Sequence, residues 1–150
     1  MAKITQFPEG IVIYNVDHSV GKFGRNHKSD VQLVQVLLNA LINNIKMAGN
    51  GISKDPVPDI LAVYGICGPT TIEAILWFQK ASPSLAKDAT MNSVDDAGYY
   101  GASAPARRKA YTLRMLNSEL LIRSAMPSKS AIVNEPLASE LRKFSKEPTL

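Results

Sequence analysis

The clearest apolar periodicity in the chain lies between residues 29 and 48. Apolar residues spaced by three or four positions share one face of a helix, and five of them do so here: Val31, Val34, Leu38, Leu41 and Ile45. Leu37 and Ile42 widen that face. A face this wide predicts a helix that is buried on more than one side.

The ends of this helix are also predicted from local residues. Ser29 is the expected N-cap, with Gln32 as its capping-box partner three positions later. Asp30 in the first turn suits the positive end of the helix dipole. Gly49 and the residues around it are expected to end the helix.

Further helices are expected towards the carboxyl end. Gly68-Pro69 predicts a helix start, because proline is favoured at the first helical position. Ser82-Pro83-Ser84 predicts the end of that helix. A third helix is expected over residues 105–123, with Leu113, Leu116 and Leu120 on its apolar face, and a short fourth helix over residues 135–144.

The remaining segments predict a strand and loops. The β-branched and aromatic run of residues 11–14 predicts a short strand, and the glycines of residues 21–26 predict a loop. Residues 49–63 carry two glycines and two prolines and are expected to be irregular. Residues 81–104 form a long connection for so small a domain, and long loops in compact domains are often functional.

Composition limits the class of protein. The chain has 150 residues, of which 45% are hydrophobic and 20% charged, which is typical of one globular domain. The net charge of +4 favours anionic partners only weakly. We expect no nucleic-acid binding, because no predicted helix combines a basic face with base-reading side chains. No apolar run is long enough to span a membrane.

The cysteine and histidine content limits the chemistry. Cys67 is the only cysteine, so no intrachain disulfide can form, and we expect it to be a small buried apolar residue. His18 and His27 flank the glycine-rich loop, where a pair could bind a metal or move protons. Without a recognised ligand signature we expect a surface role for them, no metal site and no cofactor. Residues 1–10 lack the apolar stretch of a signal peptide, so we expect synthesis in the cytoplasm and delivery to any envelope target by another route.

Three segments resemble, in order, the motifs of bacterial peptidoglycan-binding domains. They are residues 30–39 (DVQLVQVLLN), 64–79 (YGICGPTTIEAILWFQ) and 111–117 (YTLRMLN). The family typically shows V-x-x-(L/V)-Q-x-x-L-N, then D-G-x-(F/I)-G-x-x-T-x-x-A-(I/V)-x-x-F-Q, then T-x-x-x-L. Most matching positions are ones that build turns and a core. Gly65 is expected in a tight turn, and Gln35 and Gln79 are expected to hydrogen-bond backbone carbonyls between helices. Tyr64 departs from the family, which usually has Asp there.

The resemblance implies a mainly α fold with a three-helix, peptidoglycan-binding-like core. A short amino-terminal strand and an extra carboxy-terminal helix are added to that core. The expected divisions are an extension with the strand (residues 1–19), the helical domain (20–123), and a linker with the last helix (124–150). The implied function is non-catalytic binding of a cell-wall peptide or glycan, in a groove between the second helix and the 81–104 loop.

Five residues are candidates for contact with such a ligand, because aromatic faces stack on sugars and polar groups orient them: Tyr64, Trp77, Asp95, Tyr99 and Tyr100. Since Trp77 precedes the core residue Phe78, we expect Trp77 to be partly exposed. The alternative is that Trp77 and the tyrosines only pack the fold.

Charged clusters offer weaker candidates. Asp95 and Asp96 could serve as acid and base or bind calcium, but Asp is also common in turns. The basic run of residues 107–109 could meet an anion, although three charges are typical of a solvated surface. We therefore predict no catalytic residue.

Three functions remain open at this point. The first is a non-catalytic wall-binding module, accessory to a phage, lysis or secretion machine. The second is a protein–protein adaptor or cargo component that keeps the fold without wall binding, and whose partner belongs to a secretion or lysis system. The third is a small wall-degrading enzyme.

Overall fold

The computed structural model describes residues 2–6, 12–81, 93–94 and 112–127, and it is mainly helical. Its elements, in chain order, are β1 (Ala2–Gln6), β2 (Val12–Val16), β3 (Val20–Gly21), α1 (Lys28–Ala48), α2 (Pro69–Ala81), β4 (Ser93–Val94) and α3 (Thr112–Ile122). Among these residues, no helix has the length and apolar character that crossing a bilayer demands. The predicted fourth helix, over residues 135–144, lies outside the described residues.

The helix α1 is the centre of the core. All seven apolar residues assigned to its wide face are buried, which confirms that it is covered on more than one side. It contacts α2, α3 and β2. Leu113, Leu116 and Leu120 of α3 are buried in the same cluster, as the spacing predicted.

The amino-terminal cap of α1 was predicted wrongly. The helix begins at Lys28, so His27 is the N-cap, and it makes no side-chain capping hydrogen bond. Gln32 is fully buried and neither of its amide atoms has a hydrogen-bond partner among the described residues, so it is not a capping-box partner. Asp30 does lie in the first turn, but it too is buried. Tertiary packing at this end has replaced local capping.

Two other predicted helix ends, the end of α1 and the start of α2, agree with the structure. Gly49 ends α1 with a φ of 75° and donates its N–H to the carbonyl of Ile45 at 2.8 Å. This is a glycine C-cap in the left-handed region. Pro69 is the first residue of α2, which ends at Ala81. Residues 82–84 and 105–111, assigned to the stop signal and to the start of the third helix, lie outside the described residues.

The strands form two small antiparallel pairs. β1 pairs with β2 from Ala2 opposite Val16 to Gln6 opposite Val12. β3 pairs with β4 through two residues each. The strand predicted at residues 11–14 corresponds to β2, whereas β1, β3 and β4 were not predicted. Two-residue strands carry no alternation, so pattern analysis has nothing to detect in them.

Side-chain amides hold the elements together by pairing with backbone groups. Asn117 of α3 accepts the N–H of Tyr14 at 3.0 Å and donates to its carbonyl at 3.0 Å. Asn39 of α1 accepts the N–H of Leu61 at 2.7 Å and donates to its carbonyl at 2.8 Å. Each amide supplies the donor and acceptor that a neighbouring strand would supply, so β2 is fixed to α3 and the 49–68 segment to α1.

Two glutamines connect the helices in the same way. Gln35 donates to the carbonyl of Ile66 and to Oγ1 of Thr71, each at 3.0 Å, and accepts the N–H of Gly65 at 3.2 Å. Gln79 of α2 donates to Oγ1 of Thr112 at the start of α3, at 2.9 Å. The predicted bridging by both glutamines is therefore present. For Gln79 the acceptor is a hydroxyl rather than a carbonyl.

Candidate functional site

A groove of about 490 Å³ lies between α2 and the irregular segment before it. Residues of one helix face form one wall: Thr70, Glu73, Leu76, Trp77 and Lys80. Residues 55–62 form the other wall. We call this feature the α2 groove. Its volume falls within the range of small-ligand pockets, which is about 300–1,000 Å³.

The opposite wall stands away from α2 for local reasons. Pro56 and Pro58 cannot donate backbone hydrogen bonds and disfavour regular structure around them. The Asn39 amide then fixes the end of the segment by holding both backbone groups of Leu61. A segment that is irregular along its length and clamped at its end leaves an open channel beside the helix.

Trp77 is the aromatic residue of this groove. Only 6% of its surface is exposed, so the expectation that it is partly exposed was wrong. It belongs to the same buried cluster as Phe78, because α2 meets the core on one side and the 55–62 segment on another. Its indole nitrogen is covered and has no hydrogen-bond partner among the described residues. A buried donor without a partner carries a free-energy cost that a ligand acceptor would relieve.

The charges of the groove differ from the charge of the chain. Asp55, Asp59 and Glu73 provide three carboxylates and Lys80 one ammonium group, in a protein whose net charge is +4. Asp59 lies 3.9 Å from the Lys46 ammonium, but both side chains are exposed and such pairs are weak. The groove therefore suits a ligand that carries an amine, which the carboxylates can bind, and one anionic group, which Lys80 can bind.

Of the five predicted site residues, the structure describes Trp77 and Tyr64, and the groove contains only the first of these two. Trp77 lies in the groove, whereas Tyr64 is 71% exposed on the turn before α2 and is not among the residues that line it. Asp95, Tyr99 and Tyr100 lie outside the described residues, as do the 107–109 cations.

Sequence reasoning missed Asp55, Asp59 and Lys80, and noted Glu73 only as an acid inside a motif. Their common position beside α2 depends on how the 55–62 segment folds back, which no local spacing encodes. The two prolines of that segment were the available signal, since they predicted an irregular chain there.

The turn before α2 explains the glycine of the second motif. Gly65 has a φ of 78°, and a Cβ there would lie 2.5 Å from Cγ of Lys28 and 2.9 Å from its carbonyl oxygen. Only glycine can place the turn this close to the start of α1. Cys67 follows it and is half-buried against the core. Burial raises the pKa of the Cys67 thiol, and a hydrogen bond with the backbone of Gly21 lowers it less.

A second cluster of polar side chains, apart from the α2 groove, contains the two histidines. The rings of His18 and His27 are stacked, with centroids 4.1 Å apart and planes at 27°. His18 Nδ1 lies 3.7 Å from Oδ2 of Asp30. One ligand atom from each of these three residues lies within 4.8 Å of the others. Sequence reasoning considered the histidine pair but not Asp30 as its companion.

The loop between the histidines is held by its own hydrogen bonds. The Asn26 side chain accepts the Gly21 N–H at 2.7 Å and donates to the Gly21 and Gly24 carbonyls at 3.1 Å. The Asn26 N–H donates to the Ser19 carbonyl at 2.9 Å. Asn26 has a φ of 54°, which asparagine tolerates better than most residues. The loop thereby returns His27 to a position over His18.

Comparison with protein-family models, curated proteins and solved structures finds no match for this chain. Four polar residues of the three motif segments make internal hydrogen bonds: Gln35, Asn39, Gln79 and Asn117. Two others, Thr70 and Glu73, line the α2 groove.

Proposed function

We propose that this chain is a non-catalytic binding module that holds a peptidoglycan peptide or glycan in the α2 groove. Such a module would be accessory to a phage, lysis or secretion machine. The observation that carries the proposal is the convergence of Trp77, three carboxylates and one lysine on a groove of about 490 Å³. The resemblance of the three motif segments to wall-binding domains supports the same ligand class.

The lining of the groove matches the chemistry of a wall stem peptide. Such peptides combine short aliphatic side chains, a free amine and carboxylates. Val57, Leu61 and Leu76 provide apolar contacts, and the carboxylates of Asp55 and Glu73 provide sites for an amine. Lys80, Thr70 and Trp77 complete the helix wall and orient the ligand along α2.

Binding fits the groove better than hydrolysis does. A glycosidase needs one carboxyl group whose surroundings favour its protonated form, as an apolar pocket does. Asp55, Asp59 and Glu73 are all exposed, and each meets water directly. Three exposed carboxyl groups beside one another suit the recognition of a cationic group better than acid catalysis.

Sedimentation with purified sacculi tests the proposal. The protein should co-sediment with insoluble peptidoglycan and be released by soluble muropeptides, because both occupy the same groove. An inert protein of similar size and net charge is the control for charge-driven adsorption. Retention no better than that control would refute wall binding. Release of reducing sugar or amine from the sacculi would refute the non-catalytic part.

A protein–protein adaptor is the second candidate, and exposed apolar side chains favour it. Phe23 is 87% exposed and Ile66 is 73% exposed. The hydrogen bond between Cys67 and the Gly21 backbone makes the 21–24 turn and the 64–68 turn neighbours. The adaptor candidate takes these two side chains to form one contact surface, since contiguous exposed apolar patches mark such surfaces.

Affinity capture from the native cell tests this second candidate. The double variant Phe23→Ser, Ile66→Ser should lose a stoichiometric partner that the wild-type protein captures. Met47→Ser is the matched control, since Met47 is also highly exposed but lies at the far end of α1. Equal capture by both variants, or no stoichiometric partner for wild type, would contradict the adaptor function.

A further inference from the structure

The cluster of His18, His27 and Asp30 has the composition of a metal site. Imidazole nitrogens and a carboxylate oxygen form the ligand set that zinc and other divalent first-row ions share. The ligand atoms lie within 4.8 Å of one another, and none of the three residues lines the α2 groove. The cluster is therefore a separate feature from the groove.

Asp30 is prepared for a cation by its surroundings. Its side chain is fully buried, and its two oxygens accept hydrogen bonds from the backbone N–H groups of Asp17 (3.4 Å) and His18 (3.3 Å). Hydrogen bonds of this kind orient a ligating carboxylate in metal sites. A buried carboxylate also gains most from a nearby positive charge, because burial removes its hydration.

His18 supplies the second observation. Its Nδ1 atom is covered, has no hydrogen-bond partner among the described residues, and lies 3.7 Å from Oδ2 of Asp30. That separation is too long for a hydrogen bond. Two ligands of one tetrahedral zinc ion lie about 3.3 Å apart, given metal–ligand distances of 2.0–2.1 Å. A closure of a few tenths of an ångström would bring both atoms to one ion.

His27 completes the set from the N-cap position of α1. Its side chain is exposed and makes no capping hydrogen bond, so the ring is free to turn towards the ion. The stacking on His18 at 4.1 Å already places the two rings together. Each imidazole binds a metal through a nitrogen lone pair in its ring plane, so the His27 ring turns out of the stack for both rings to share one cation.

We propose that His18, His27 and Asp30 bind a divalent transition-metal ion of the zinc class, with the fourth position open to water or an external ligand. This departs from the sequence expectation of no metal site. That expectation counted two histidines and one cysteine, and spacing alone gave no reason to place Asp30 beside the histidines.

Titration of the tag-free protein with Zn²⁺ tests the proposal. Equilibrium dialysis with elemental analysis should give one ion per chain at micromolar affinity. His18 and His27 are the only histidines, so the two imidazole C2–H signals report the site without ambiguity, and both should shift on saturation. Stoichiometry well below one, millimolar affinity, or unshifted imidazole signals would overturn the proposal.

Variants locate the ion. His27→Ser should weaken Zn²⁺ binding at least about tenfold while preserving the fold, because serine is a favourable N-cap. Asp30→Asn should weaken it similarly where the variant folds. Cys67→Ser and Asp59→Asn, which remove the sole thiol and an acid of the α2 groove, should bind as wild type. Unchanged affinity in His27→Ser, or lost affinity in Cys67→Ser, would contradict the assignment. Zn²⁺ affinity and the imidazole signals are measured without sacculi, so failure of the metal proposal is distinguishable from failure of wall binding.

Discussion

Two glycines with nearly the same backbone angle have different roles in this molecule. Gly49 and Gly65 have φ values of 75° and 78°, in the region that side chains disfavour. Around Gly49 there is open space, whereas at Gly65 the backbone of Lys28 leaves no room for a Cβ. The sequence predicted both as turn residues, but the close approach at Gly65 is a tertiary contact that local spacing could not reveal.

We therefore expect different costs for alanine at the two positions. Gly49→Ala should lose about 1 kcal/mol of unfolding free energy, from backbone strain alone. Gly65→Ala should lose about 3 kcal/mol, because the clash with Lys28 adds to the same strain. Urea unfolding of both variants measures the difference. Equal losses would show that the approach to α1 is not tight.

Among the elements, the three described helices and β2 follow from the sequence, whereas β1, β3 and β4 do not. The apolar face of α1, the proline start of α2 and the glycine end of α1 all arise from contacts within a few residues. The pairing of β3 with β4 joins segments more than seventy residues apart, for which the chain carries no local signal. The prediction of Ser29 as the N-cap of α1 was wrong for the same reason, since tertiary contacts bury Asp30 and Gln32 at this helix end.

The glutamines of α1 offer a matched test of how elements are joined. Gln35 satisfies three groups of the 65–71 turn, whereas Gln32 is buried with neither amide atom bonded among the described residues. Gln35→Leu should cost about 3 kcal/mol, because it leaves buried polar groups unpaired.

Gln32→Leu should be neutral or stabilise by about 1 kcal/mol, because it removes an unpaired polar group at similar volume. Chemical denaturation of the two variants gives both values. A loss of stability for Gln32→Leu comparable to that for Gln35→Leu would indicate that the Gln32 amide has a partner in the folded protein.

At the scale of the whole molecule, the motif residues mainly build the helical scaffold, and the irregular segment of residues 55–62 forms one wall of the α2 groove. Four of the motif polar residues, Gln35, Asn39, Gln79 and Asn117, bond within the fold, so the motifs mainly describe the scaffold. The acidic α2 groove in a chain of net charge +4 depends on residues 55–62 folding beside Trp77. Of the five ligand residues proposed from sequence, Trp77 lies in that groove and Tyr64 does not.

Trp77 is the only tryptophan, so its indole N–H gives one signal that reports directly on the groove. The most direct measurement follows this signal by ¹⁵N–¹H NMR while soluble muropeptides are added. Two variants add the same large cation: Thr70→Arg inside the groove and Asn43→Arg on the exposed side of α1. Wild type and Asn43→Arg should show a saturable shift of the Trp77 signal, and Thr70→Arg should show none. An unmoved signal in wild type at millimolar muropeptide, or an equal shift in Thr70→Arg, would contradict ligand binding in the α2 groove.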